Sequence, residues 1–127
     1  MNVTGVATKT AMMTAMRDTV ADGTIELLSA GAQVLAIIGL SGTGGTITGS
    51  SSVAWTLELD ASGVTTGLPA AGAGTNAASA RIKTAGGVVQ TTLTVSLTSG
   101  SGDVKMDNTS ITEGQTVAIT SAALTWP

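Results

Sequence analysis

The sequence predicts a mainly β fold, an antiparallel β-sandwich or small barrel of about seven or eight short strands with one short N-terminal helix. Three observations lead there. Apolar residues recur at helical spacing only in the first 22 residues. From Thr24 onward they recur with period two. The alternating segments are separated by Gly, Ser, Asp and Asn clusters that read as turns. At 127 residues the chain has the length of one domain, and 1–127 is read as a single β-rich unit.

The helix is expected over about 8–22. Thr8 stands where a cap belongs, Met13, Met16 and Val20 form a stripe that Met12 widens, and Gly23 after Asp22 offers a stop. The methionines suit a packing face, and an adaptable thioether also suits docking on a partner. Ile25-Glu26-Leu27-Leu28 is a short strand, Ser29-Ala30-Gly31-Ala32 a hairpin turn, and Gln33 to Ile38 a strand apolar on both faces, hence central. Ser41 to Ser52 is nearly all Gly, Ser and Thr and reads as a flexible loop at about 41–52. Val53 to Asp60 alternates cleanly, with Val53, Trp55, Leu57 and Leu59 on one face and Trp55 as core anchor.

A second flexible stretch is expected at about 61–78, rich in Ala and Gly with Pro69 inside it. It reads as a linker or as an arm that orders against a neighbour. Arg81-Ile82-Lys83 opens a strand and Gly86-Gly87 a turn. Val89, Thr91, Leu93, Val95 and Leu97 then alternate with a Thr/Ser ladder. Ser99 to Gly102 turns the chain, Val104 and Met106 point inward, and Asp107-Asn108 can close an Asx turn. Glu113-Gly114 reads as a hairpin turn. In the last strand Val117 and Ile119 share one parity while Ala122, Leu124 and Trp126 share the other, which predicts a β-bulge near Ser121.

Composition narrows the chemistry. The chain has no His, Cys, Tyr or Phe, and its only aromatics are Trp55 and Trp126; Ser and Thr number 35, Ala 19 and Gly 17. A core of Val, Ile, Leu, Met and Ala is thin, so neighbours are expected to add stability. Without His or Cys there is no triad, thiolate nucleophile or zinc site of the usual kinds. No catalytic, cofactor-binding or metal-ligating residues are assigned, and a non-enzyme is expected. Eight acids against five bases give a net charge of −3, the opposite of a phosphate-binding stripe, so no nucleic-acid partner is expected. Met1 to Met16 has no apolar run of the secretory kind, and the longest apolar run, Val34 to Leu40, is far short of a span; no membrane partner is expected.

Three local patterns carry little. Gly39 to Gly45 lacks the spacing and the Gly-Lys-Ser/Thr of a phosphate loop. Gly100 to Asp107 brings two carboxylates near a Gly turn without the ligand spacing of a calcium loop. Asn2-Val3-Thr4 and Asn108-Thr109-Ser110 fit a glycosylation sequon, but with no signal peptide they read as chance.

The segment Gly102-Asp-Val-Lys-Met-Asp-Asn-Thr-Ser-Ile-Thr-Glu-Gly-Gln-Thr-Val-Ala-Ile-Thr-Ser121, closing on Thr125-Trp126-Pro127, resembles the tail of a group of small proteins from the structural gene modules of tailed bacteriophages. The likeness covers about the last 25 residues and, more loosely, the short helix and the strand ending Leu27-Leu28-Ser29-Ala30-Gly31. Where that group carries a Trp or Phe before the C-terminal hairpin, this chain has Gly86-Gly87-Val88-Val89. The resemblance implies a virion component assembled in the host cytoplasm, with no catalytic residues to carry over. The leading expectation is a capsid decoration (cement) protein that clamps the major capsid protein lattice. Copies of itself are expected partners too, as a trimer at threefold positions. A tail or neck component is the alternative, and a carbohydrate-binding or adhesin module on the virion surface is an alternative of another class.

Overall fold

The period-two segments become strands that close on themselves. The computed structural model describes residues 6–49, 53–60 and 64–126. Helix α1 (Val6–Val20) is followed, among the described residues, by β1 (Thr24–Leu28), β2 (Val34–Gly49), β3 (Val53–Leu59), β4 (Val64–Thr66), β5 (Thr75–Asn76), β6 (Ser79–Lys83), β7 (Val89–Leu97), β8 (Val104–Met106), β9 (Ser110–Ile111) and β10 (Thr116–Trp126). Seven of them run β3-β2-β1-β6-β7-β8-β10, and pairing of β3 with β10 closes a barrel. β4 extends the ladder along β10, and β5 pairs with β9 as a separate two-stranded piece.

Closure with seven strands has a topological consequence. Directions cannot alternate around an odd ring, so at least one neighbouring pair must be parallel. That pair is β7 and β8, with Val95 opposite Val104 and Leu97 opposite Met106. The turn expected at Ser99 to Gly102 therefore redirects the chain without making an antiparallel hairpin. Residues 98–103 double back along β7, where the Asp103 carboxylate accepts from the Thr94 N–H (3.1 Å) and hydroxyl (3.2 Å). Side chains at Gly100 and Gly102 would strike Ser96 at 2.8 and 2.7 Å, so glycine is what lets so short a parallel connection fit.

The core lies inside this ring. Ile25, Leu27, Leu35, Ile38, Leu40, Val53, Trp55, Ile82, Leu93, Val104 and Met106 are all buried, and Met13 and Val20 of α1 join them. The helix runs 6–20 instead of about 8–22, so Thr8 is a helical residue and not its cap. It ends because Asp22 turns left-handed (φ 62°) and the Gly23 N–H closes on the Val20 carbonyl at 2.8 Å. Gly23 itself is required for proximity: a Cβ there would sit 2.0 Å from the Lys83 carbonyl oxygen. Met13 and Met16 pack on the core while Met12 stays exposed.

The two expected loops turn out otherwise. Residues 41–49 belong to β2, which pairs with β3 from Leu40/Leu59 to Gly49/Val53 across a register shift at Leu40–Gly45. A strand is held by backbone bonds, so a Gly/Thr run can join one without burying apolar side chains. Residues 50–52 lie outside the described residues. Of 61–78, residues 61–63 do so as well. The rest holds β4, a 3-10 turn at Pro69–Ala71 and β5, tied down by Leu68 N–H to the Leu35 carbonyl and Ala77 N–H to the Thr109 carbonyl, both 2.8 Å.

The remaining turns fall where expected, with adjustments. Ladder β10–β8 shifts register between Ile119 and Ser121, the bulge that the parity switch demanded. Glu113-Gly114 does form a turn, but β9 before it pairs with β5 and not with β10. Along β7 the alternation holds, yet Val89 and Leu97 are exposed at its two ends and only Leu93 is fully covered. In the β1–β2 turn the left-handed residue is Ala32 (φ 63°), not Gly31. An alanine there is strained, so Ala32→Gly is expected to raise stability by about 0.5–1 kcal/mol in chemical denaturation, in contrast to the loss that glycine brings at most positions.

Candidate interaction surface

With the barrel interior occupied by side chains, the outer wall, the turns and a gap in the wall carry most of the polar groups among the described residues. β3 pairs with β10 only from Val53/Trp126 to Thr56/Ala123. Beyond that point Leu57 and Leu59 stay with β2, opposite Gly45 and Leu40. The chain returns to β10 at β4, where Val64 faces Ala118. Residues 57–59 of β3 and 119–122 of β10 thus splay apart between two closed stretches of ladder. They frame a window of about 280 Å³ lined by Leu57, Leu59, Ile119 and Ala122, with Thr56, Glu58, Thr120 and Ser121 also lining it. The first four are buried or half-buried and form its floor; the others are exposed and form its rim.

Among the described residues a charged cluster lies on the outer wall. Glu26 on β1 is buried (side chain 8 % exposed), between Arg81 (2.5 Å) and Lys83 (3.2 Å) of β6. Arg81 lies directly opposite Glu26 in the ladder. Burial by itself raises the Glu26 pKa, but hydrogen bonds from Arg81 and Lys83 and the attraction of their charges outweigh it and hold the pKa below the ordinary glutamate value. A carboxylate whose pKa is depressed by folding stabilises the protein above its unfolded pKa, and that stabilisation disappears as pH falls through the folded value. Glu26→Gln is therefore expected to cost about 2 kcal/mol at pH 7, the scale of hydrogen bonds to a charged group. The difference from the parent should shrink in denaturation experiments carried out well below pH 4, because both proteins are then neutral at this position.

The Thr/Ser ladder of β7 does lie on this wall, with Thr92 opposite Arg81, Thr94 opposite Ser79 and Ser96 opposite Lys105. The Gly39 to Gly45 stretch is a strand with a bulge: its Gly44 N–H donates to Ser41 Oγ (3.2 Å) and its Gly44 carbonyl accepts from Trp55 Nε1 (2.9 Å). Asp103 and Asp107 are engaged separately, Asp103 by Thr94 and Asp107 by the Thr98 hydroxyl (3.2 Å). Among the described residues no three acidic side chains gather in a metal-binding cluster. Asn108 accepts the Ser110 N–H at 2.9 Å, the Asx turn expected there, and Asn2 lies outside the described residues.

Sequence reasoning missed the window and the Glu26 cluster. A signal for the cluster existed: one acid inside the apolar quartet Ile25–Leu28, and two cations at alternate positions of another strand. The window had none, because it depends on where two distant strands part. Comparison with family models, curated proteins and solved structures finds no match to this chain.

Proposed function

We propose that this chain is a non-catalytic structural subunit of a tailed-phage particle, a capsid decoration protein that binds the major capsid protein lattice through its outer wall. The observation that carries the reading is the occupied barrel. Trp55, Leu93, Ile25 and their neighbours fill the interior, so recognition falls to the outside, where Thr/Ser side chains, strand edges and turns can make many weak contacts. The C-terminal resemblance supplies the particle: residues 102–121 form β8, β9 and most of β10, the segment that completes the ring. Trp55 is buried with its Nε1 bonded, so it is not free to stack on a sugar, which weighs against a glycan-binding module.

Deleting the gene tests this. Heads lacking the protein are expected to miss one surface component and to lose DNA at lower temperature or lower mechanical load. Heads of unchanged composition and stability would overturn the proposal.

A further inference from the structure

The capsid reading makes no use of the methionines of α1. Among the described residues of this helix, the apolar side chains that meet the core are Met13, Met16 and Val20, with the buried Lys9 one turn before Met13. Met13 is 8 % exposed, Met16 is half-buried and Met12, turned to solvent, is 43 % exposed. Two of the three docking side chains are thus thioethers, and the Met16 thioether is within reach of solvent. The helix depends on this docking. Six of its 15 residues are Thr or Val, its first turn carries no acid, and a helix of this length is marginal without tertiary contacts. What it covers is the bulge of β2. The Arg17 guanidinium donates to the Gly45 carbonyl (3.4 Å), and Arg17 Cγ lies 2.8 Å from where a Cβ on Gly44 would be.

We infer that α1 is a peroxide-sensitive latch, released from the barrel when Met16 is oxidised. Hydrogen peroxide transfers one oxygen atom to the Met16 sulfur: the O–O bond breaks, an S–O bond forms, the thioether becomes a sulfoxide and water leaves. The sulfoxide turns a polar oxygen onto an apolar face, which is unfavourable wherever that oxygen finds no donor. A sulfoxide at Met12 stays in solvent and leaves the docking face untouched. Met106, fully buried inside the ring, is out of reach while the barrel stays closed. Release stops at the helix, because β1 beyond Gly23 is paired on both sides, with β2 and with β6. This latch stands apart from the capsid reading; failure of either leaves the other intact.

The chain has no cysteine, so methionine is the residue that mild hydrogen peroxide oxidises first. Peptide mapping by mass spectrometry of the treated full chain is expected to show Met12 and Met16 oxidised about tenfold faster than Met106. Once Met16 is converted, amide hydrogen exchange in 6–20 and 41–45 is expected to quicken about tenfold while β6 and β7 keep their protection. Met16→Leu, which nearly conserves volume, is expected to keep α1 protected under the same treatment, whereas Met12→Leu responds as the parent does. The latch is refuted by unchanged α1 exchange with Met16 fully converted, or by a Met16→Leu protein that loses its helix as the parent does. Oxidation of Met106 as fast as Met16, or exchange that quickens throughout the barrel, refutes it equally.

Discussion

Replacing Trp55 with alanine is expected to cost about 3–5 kcal/mol, a large share of the roughly 5–15 kcal/mol by which an ordinary domain is stable. Among the described residues Trp55 is the largest fully buried side chain, in a chain with no Phe or Tyr to share its work. Its indole also performs a second task. Nε1 donates to the Gly44 carbonyl at 2.9 Å, inside the bulge where β2 changes register against β3. Trp55→Phe separates the two contributions: it keeps much of the volume but leaves a buried carbonyl without its donor, at about 1–3 kcal/mol. Far-UV circular dichroism during urea denaturation is the suitable measurement, because Trp126 would otherwise be the only fluorophore left. An alanine variant within 1 kcal/mol of the parent would mean that the barrel core is not organised around Trp55.

The second large effect is expected at Gly45. Its φ is 117°, which non-glycine residues rarely adopt, and a Cβ there would lie 2.0 Å from the Thr56 carbonyl oxygen and 2.9 Å from the Glu58 N–H nitrogen. Both clashes are with backbone, so no side chain can rotate away. Gly45→Ala must pay the conformational strain, of order 1–3 kcal/mol, and also push β3 from β2, for a total above about 3 kcal/mol. Gly86→Ala is the control. Its nearest foreign atom is Thr84 Oγ1 at 3.7 Å, and its stability change is expected to stay within about 0.5 kcal/mol. Equal melting temperatures for the two variants would contradict the geometry of the bulge.

Both effects arise in a segment whose composition reads as a loop. Gly, Ser and Thr at 41–49 carry almost no apolar area, and reasoning from side chains alone makes such a run flexible. The structure makes it strand because β3 supplies backbone partners and Trp55 supplies a lid over Gly44. Neither contribution is visible within the segment. The same reasoning applies to 64–78, whose few apolar residues matter less than the carbonyls of Leu35, Leu28 and Thr109 that receive its N–H groups.

Features set by near neighbours in sequence were readable. Helical spacing located α1 to within two residues at each end, and strict alternation located β3 with its inward Val53, Trp55 and Leu57. The parity switch after Ile119 placed the bulge, since a strand must keep its apolar face on the core. Local pattern is thus enough to specify a β-rich, aromatic-poor domain and most of its inward residues. The rest depends on contacts between distant segments. Ring closure, the parallel β7–β8 pair that an odd ring requires, the Glu26–Arg81 contact across 55 positions and the window between β3 and β10 all depend on backbone groups meeting at long range. Backbone hydrogen bonds are alike for every residue but proline, so the side-chain pattern within one segment does not show which distant strand it will meet.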